Sequence, residues 1–262
     1  MTVSYSSFWA QRYKIICIYA KKVVPLHDFL RKKCMKPNLF IHKIAKELIQ
    51  SLPVDRFEGE IIVVDQPDQI PEAIDYLKRQ PRLGIDTEAR PSFTRGIHYP
   101  TALVQVATLE RCYLFRLTHV GMPKELADIF ANNSICKVGL AFKDDINGLR
   151  RRRDFVPRNC IDIQSIARKY GILDMGLAKI YAICFGRKIS KAQQLTNWEN
   201  SHLTPEQQAY ASTDAWATLR IYEELMATQP LPKKEADALY RAELEKMQLH
   251  QQEVLAAREA EK

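Results

Sequence analysis

Three short stretches carry side chains whose types and spacing suit metal-assisted chemistry. The first is Leu83-Gly-Ile-Asp86-Thr-Glu88, an apolar run ending in two acids one residue apart. Side chains on a strand alternate between faces, so both carboxylates share one face. There they repel each other, and desolvating them is costly unless a cation lies between them. An oxygen-only donor pair suits Mg²⁺ or Mn²⁺. A strand running out into a polar, solvated loop explains the same residues, so the pair alone decides nothing. The second stretch is Lys137-Val-Gly-Leu-Ala-Phe-Lys-Asp144-Asp145, an apolar strand running into two aspartates. Acids at a helix start are also ordinary caps and dipole partners. The third is Tyr210-Ala-Ser-Thr-Asp214, inside a long helical pattern. Residues four apart lie about 6 Å along a helix axis on one face. Ala209, Ala211, Ala215 and Ala217 surround them and permit close approach to another element. A mid-helix aspartate among alanines is unfavourable if buried without a partner.

The elements needed to hold these groups can be read on either side of them. Glu60–Asp65, Leu83–Glu88, Ala102–Leu109, Arg111–Leu117 and Ile135–Ala141 read as strands, the third and fourth close enough for a hairpin. Pro71–Lys78 and Met122–Ala131 read as helices, and 163–222 is mostly helical. Thr204-Pro-Glu-Gln-Gln opens the last long helix, with a threonine cap and a proline in the first turn. A hairpin followed by strands linked through helices implies one α/β domain, a mixed sheet flanked by helices.

Outside that pattern the composition shifts. Residues 1–34 hold seven basic residues and one acid, and supply most of the formal net charge of +8. They read as a basic N-terminal extension, or as sequence preceding a true start at Met35. Residues 35–54 read as a leading helix, with Ile44, Leu48 and Ile49 at helical spacing. Residues 229–262 read as a charged, solvated helical tail docking on the domain 55–228, its Tyr240, Leu244, Met247, Gln251 and Val254 making a seam too short for a coiled coil. Six cysteines without a CxxC pair read as reduced thiols in a cytoplasmic protein. No stretch approaches the roughly 20 apolar residues of a membrane helix, so no membrane partner is expected.

In combination the three stretches say more than each does singly. Strand Asp86-x-Glu88, Asp145 at a helix start 57 residues after Glu88, and helical Tyr210-x-x-x-Asp214 a further 69 on occur in that order. This resembles the DEDD superfamily of 3′–5′ exonucleases in its tyrosine-bearing branch, over roughly residues 55–228. Cys160-Ile-Asp162-Ile163 and Ser190-Lys191-x-x-Gln194-Leu-Thr-Asn-Trp198 are also similar to family segments, most closely those of Werner-syndrome-type exonuclease domains and next those of ribonuclease D. The family aspartate follows the strand glycine by six residues, and Gly139 plus six is Asp145, leaving Asp144 an outer or capping acid.

The resemblance implies a ribonuclease H-like fold and a metal-dependent 3′–5′ exonuclease. Asp86 would bridge two divalent ions, Mg²⁺ or Mn²⁺. Glu88 and Asp214 would complete the first site and Asp145 support the second. Tyr210 would position the attacking water or help accept its proton, and nucleoside 5′-monophosphates would leave from the 3′ end. DNA is the favoured polymer, with RNA 3′-end trimming as the alternative. Lys191 and Gln194 are expected on the scissile strand. Arg150 and Arg151, in a run of four arginines, are candidates for phosphate contact. Trp198 is a candidate for base stacking, although a buried anchor is the better reading. Arg90, Phe93, His98 and Tyr99 follow Glu88 on a loop where Phe93 or Tyr99 would wedge against the terminal base. A silent nucleic-acid-binding protein on the same fold is the alternative of another class, but it should have lost at least one of the five residues. No GxxxxGK[ST], GxGxxG or GxSxG pattern supports a different enzyme class.

Overall fold

The computed structural model describes residues 35–94 and 96–260, the expected basic extension 1–34 lying outside the described residues. Strands β1 (Glu60–Val64), β2 (Arg82–Ala89), β3 (Thr101–Ala107), β4 (Arg111–Arg116), β5 (Cys136–Gly139) and β6 (Cys160–Asp162) form one sheet in the order β1-β4-β3-β2-β5-β6. β2, β3 and β4 are antiparallel to their neighbours among themselves. β1 joins β4, β5 joins β2 and β6 joins β5 in parallel. The sheet is mixed, as the hairpin followed by helix-linked strands requires.

Alternation along the central strands sorts the two faces. Leu83, Ile85, Val104 and Val106 turn to one side, where they pack with α2 (Ile70–Lys78), α4 (Lys124–Ala131) and the apolar side of α5 (Lys143–Arg152). Leu103 and Ala107 turn to the other, against Ala211 and Ala215 of α8 (Pro205–Ala227). α8 also packs on α6 (Ile163–Ala167) and α7 (Leu177–Phe185) through Ala217, Ile221 and Leu225. Gly84 explains how closely α8 lies on β2: a Cβ there would collide with the Ala215 carbonyl oxygen and the Leu219 side chain. The small residues of α8 therefore serve the close approach that their spacing implies. Thr204 caps α8 by accepting from the Gln207 backbone, and the Gln207 side chain returns to the Thr204 N–H, with Pro205 at the first helical position.

The leading segment departs from expectation. Helix is confined to α1 (Lys46–Ser51), and what precedes it is irregular, tied to other partners. Lys36 pairs with Ala227 and Gln229, His42 accepts from the Leu173 N–H, and the Ile44 N–H donates to the Asp174 carboxylate. Those long-range bonds take the backbone groups a helix would need for itself. At the other end, α9 (Lys233–Ala260) rests on the domain by its first turns. Ala236 is buried, the Arg168 guanidinium lies 4.3 Å from the Tyr240 ring centroid, and Lys43 pairs with Glu243. Farther along, Met247 and Leu249 are exposed. The short α3 (Leu117–Val120) follows β4.

Candidate active site

β2 puts Asp86 and Glu88 on the face covered by α8, and its regular pairing with β3 shifts register just after Glu88. α8 delivers Asp214 to the same place. Oxygens of Asp86, Glu88 and Asp214 lie within 4.8 Å of one another. They line a cavity of about 310 Å³ with Tyr210, Lys191 and Gln194. The Tyr210 hydroxyl donates to Asp214, one helical turn away.

Asp145 arrives from the opposite face of the sheet. α5 packs on that side through Ile146 and Leu149, and Thr87 Oγ1 donates to Asp145 Oδ1 at 2.5 Å. Thr87 points away from Asp86 and Glu88 because it is the odd residue of Asp-x-Glu. Asp145 thus lies outside the tight triad yet close enough for its charge to act on both Asp86 and Glu88. It also lines a second cavity of about 1070 Å³ with His98, Tyr99, Asp144 and Arg151. Asp144 is exposed and Asp145 half-buried.

The turn that launches α5 is unusual. Ala141 sits at φ 53°, the left-handed region that non-glycine residues seldom adopt. Asp162 holds it there: its carboxylate accepts from the N–H groups of Ala141 (3.3 Å) and Phe142 (3.2 Å) while capping α6 through Gln164 (2.8 Å). The aspartate of the Cys160–Ile163 segment is therefore a brace for the turn that carries Asp145. Sequence reasoning singled out that segment without seeing this role, and missed Thr87 although it stands between two motif acids.

The Lys191–Trp198 segment is braced from α8 and from the sheet. Gln207 Nε2 donates to Thr196 Oγ1 (3.0 Å) and the Asn197 carbonyl (3.3 Å). The buried Arg116 of β4 donates to the carbonyls of Asn200 and Ser201. Trp198 is fully buried, with its ring centroid 6.0 Å from that of Tyr210. Base stacking by Trp198 is thereby corrected: its face is committed to the core beneath Tyr210, and it anchors the loop that exposes Lys191 and Gln194. The four arginines diverge. Arg150 is exposed and pairs with Asp154 (3.2 Å), and Arg151 faces the larger cavity. Arg152 donates to the Thr101 carbonyl (2.5 Å) and Arg153 to that of Met122 (2.7 Å), so these two tie α5 to its neighbours. Neither Arg150 nor Arg151 lines the carboxylate cavity. In the loop after β2, Tyr99 lies under the Arg90 guanidinium, 4.8 Å from ring centroid to Cζ, whereas Phe93 is 86% exposed.

The electrostatics favour a bound cation. Burial, followed by the charges of Asp214, Asp145 and Glu88, raises Asp86 well above the ordinary carboxylate range. Burial and the charges of Asp214 and Asp145 push Glu88 up to about 9. Asp214 rises to about 7 through burial, moderated by its bond from Tyr210 and by Lys191. Asp145 rises to about 6, again through burial, with the Thr87 bond opposing. Burial and then the neighbouring Asp214 raise the Tyr210 phenol, which stays protonated throughout the neutral range. Among the described residues, no arginine or lysine forms an ion pair with any of the four acids. A converging set of oxygen donors without nitrogen or sulfur, destabilised for want of a counter-charge, fits hard divalent ions such as Mg²⁺ or Mn²⁺.

Residues 61–228 match the family model for 3′–5′ exonucleases. Mouse exonuclease 3′-5′ domain-containing protein 2 is 31% identical over 185 residues, which are 64% of this chain and 28% of that protein. Mouse bifunctional 3′-5′ exonuclease/ATP-dependent helicase WRN is 28% identical over 153 residues, 55% of this chain and 11% of that protein. The chain therefore spans less than a third of the length of either relative. The fold resembles that of Escherichia coli RNase D with a TM-score of 0.59 at 24% identity, covering 74% of this chain and 50% of that one. With the Asp86–Glu88–Asp214 cluster in place and the matched region extending through α8, the chain belongs to the 3′–5′ exonuclease family.

Proposed function

We propose that the chain hydrolyses phosphodiester bonds one nucleotide at a time from the 3′ end of a nucleic acid, releasing nucleoside 5′-monophosphates. The observation that carries this reading is the convergence of Asp86, Glu88 and Asp214 oxygens within 4.8 Å in a cavity that also exposes Lys191, Gln194 and Tyr210. Asp86, Glu88 and Asp214 would hold one divalent ion, and Asp86 with Asp145 a second. When bound, two such ions supply an acidified water and stabilise charge on the attacking and leaving oxygens. The protein's own groups do the rest. Tyr210, beside Asp214, positions the nucleophile by hydrogen bonding or helps accept its proton. The Lys191 ammonium and the Gln194 amide grip the terminal phosphodiester and hold the strand in line. Trp198 and Arg116 fix the loop from which those two side chains project.

The Werner-type cast of the Ser190–Trp198 segment supports DNA as the favoured polymer. A second reading, RNA 3′-end trimming, is supported by the structural likeness to an enzyme described as an exoribonuclease involved in structured RNA processing. The metals act on a phosphodiester common to both polymers, so recognition of the 2′-OH separates the two. The test uses 5′-labelled single-stranded DNA, recessed-3′ duplex DNA and matched RNA with Mg²⁺, Mn²⁺ or EDTA, comparing wild type with Asp86→Ala. A ladder shortening from the 3′ end, abolished by EDTA and by the substitution, is the expected result. No digestion of any substrate by folded, metal-loaded protein would overturn the proposal.

A further inference from the structure

Gln105 is a residue of β3 for which core packing gives no account. Its neighbours Leu103 and Ala107 pack with α8, and Val104 and Val106 pack on the other face, so Gln105 points toward α8. It is wholly excluded from solvent, and neither its amide nitrogen nor its amide oxygen has a hydrogen-bond partner among the described residues. Burying an unmatched amide is unfavourable, and an apolar side chain would fill the same space more stably. Its position offers a reason for keeping it. In the β2–β3 register Gln105 stands directly opposite Asp86. Side chains so paired share one face, with Cβ atoms about 4.5–5.5 Å apart. A glutamine side chain is long enough to span that separation between paired positions.

We propose that Gln105 is a positioning residue for Asp86. Its amide N–H donates to the ionised carboxylate while that carboxylate holds a cation, and so fixes which oxygen lone pairs face the ion. One Asp86 oxygen already accepts from the Thr87 backbone N–H at 2.9 Å, and the amide supplies the second restraint from the neighbouring strand. A neutral donor suits this place, since a lysine or arginine would compete with the cation for the same charge. The inference rests on the metal-site reading above and adds a residue outside its acidic set.

The test measures Mn²⁺ binding to the purified full chain by titration calorimetry, beside thermal melts in EDTA. Gln105→Met preserves volume and removes both polar atoms. The wild type is expected to bind Mn²⁺ and Asp86→Ala to lose it. Gln105→Met is expected to melt in EDTA at or above the wild-type temperature and yet to bind Mn²⁺ about 10–100-fold more weakly. A purely structural glutamine would show the opposite pattern, with lower melting and unchanged affinity, and that result overturns the proposal. Failure of the wild type to bind Mn²⁺ overturns the metal-site reading itself. Should Gln105→Met not fold, the wild-type protein is read by NMR. The Gln105 side-chain amide resonances then shift on saturation with Mg²⁺, and their constancy overturns the proposal.

Discussion

Asp214→Asn should stabilise the metal-free protein while removing its affinity for divalent ions. Asp214 is 8% exposed and its carboxyl is raised from 3.8 to about 7, chiefly by burial. A folded-state value above the unfolded one means that stability is fully present below about pH 4 and is lost as pH rises through 7. At about 1.4 kcal/mol per pH unit, ionised Asp214 costs at most about 4 kcal/mol above pH 7. Asp86 and Glu88 take up protons in its place and solvent enters the cavity, which reduces the recoverable part to about 1–2 kcal/mol. The asparagine oxygen still accepts from Tyr210, and its amide faces two acids that can accept from it. In EDTA at pH 8 the variant should melt about 2–8 °C above wild type, with the gap closing toward pH 5. Saturating Mn²⁺ should reverse the order, because it binds and stabilises only the intact cluster. Equal destabilisation of the variant at pH 5 and pH 8 in EDTA would refute the reasoning, since the cluster would then carry no repulsion to relieve.

Three further outcomes follow from the same geometry. Because Asp145 and Glu88 are raised to about 6 and about 9, cation binding must displace protons. Mn²⁺ affinity should therefore rise steadily from pH 6 to pH 9, and a flat calorimetric profile would count against the raised values. Asp162→Ala removes three backbone hydrogen bonds at the Ala141 turn and the α6 cap. Nuclease activity should fall at least tenfold in protein that still melts cooperatively, whereas unchanged kcat would show that the turn holds without its brace. Trp198→Ala empties a fully buried site. It should cost about 3–5 kcal/mol of stability, with Trp198→Phe recovering most of the activity and no change in base preference between homopolymer substrates. A base-specific loss in Trp198→Phe would restore the stacking role.

The mixed sheet was legible in the sequence from local periodicities, whereas the acidic set and Tyr210 were legible as a set only through the order and spacing that resemble the exonuclease family. Period two puts Asp86 with Glu88, a helical turn puts Tyr210 with Asp214, and the Thr204–Gln207 cap marks where that helix begins. Those relations are properties of neighbouring residues, and no distant contact alters them. What lay beyond reach depends on partners far along the chain. Burial of Trp198 was the better reading from sequence, but the partners that close over it, Tyr210 and the Arg116-held loop, were not legible there. Residues 36–44 are not helical because residues 173–174 and 227–229 claim their backbone groups. Asp145 reaches the site from the far face of the sheet, where Thr87 and the Asp162-braced turn meet it. Spacing along the chain shows which side chains share an element's face. The packing of one element on another decides whether a side chain meets solvent, a cation or a ring, because burial and hydrogen-bond supply are set by residues on other elements of the chain.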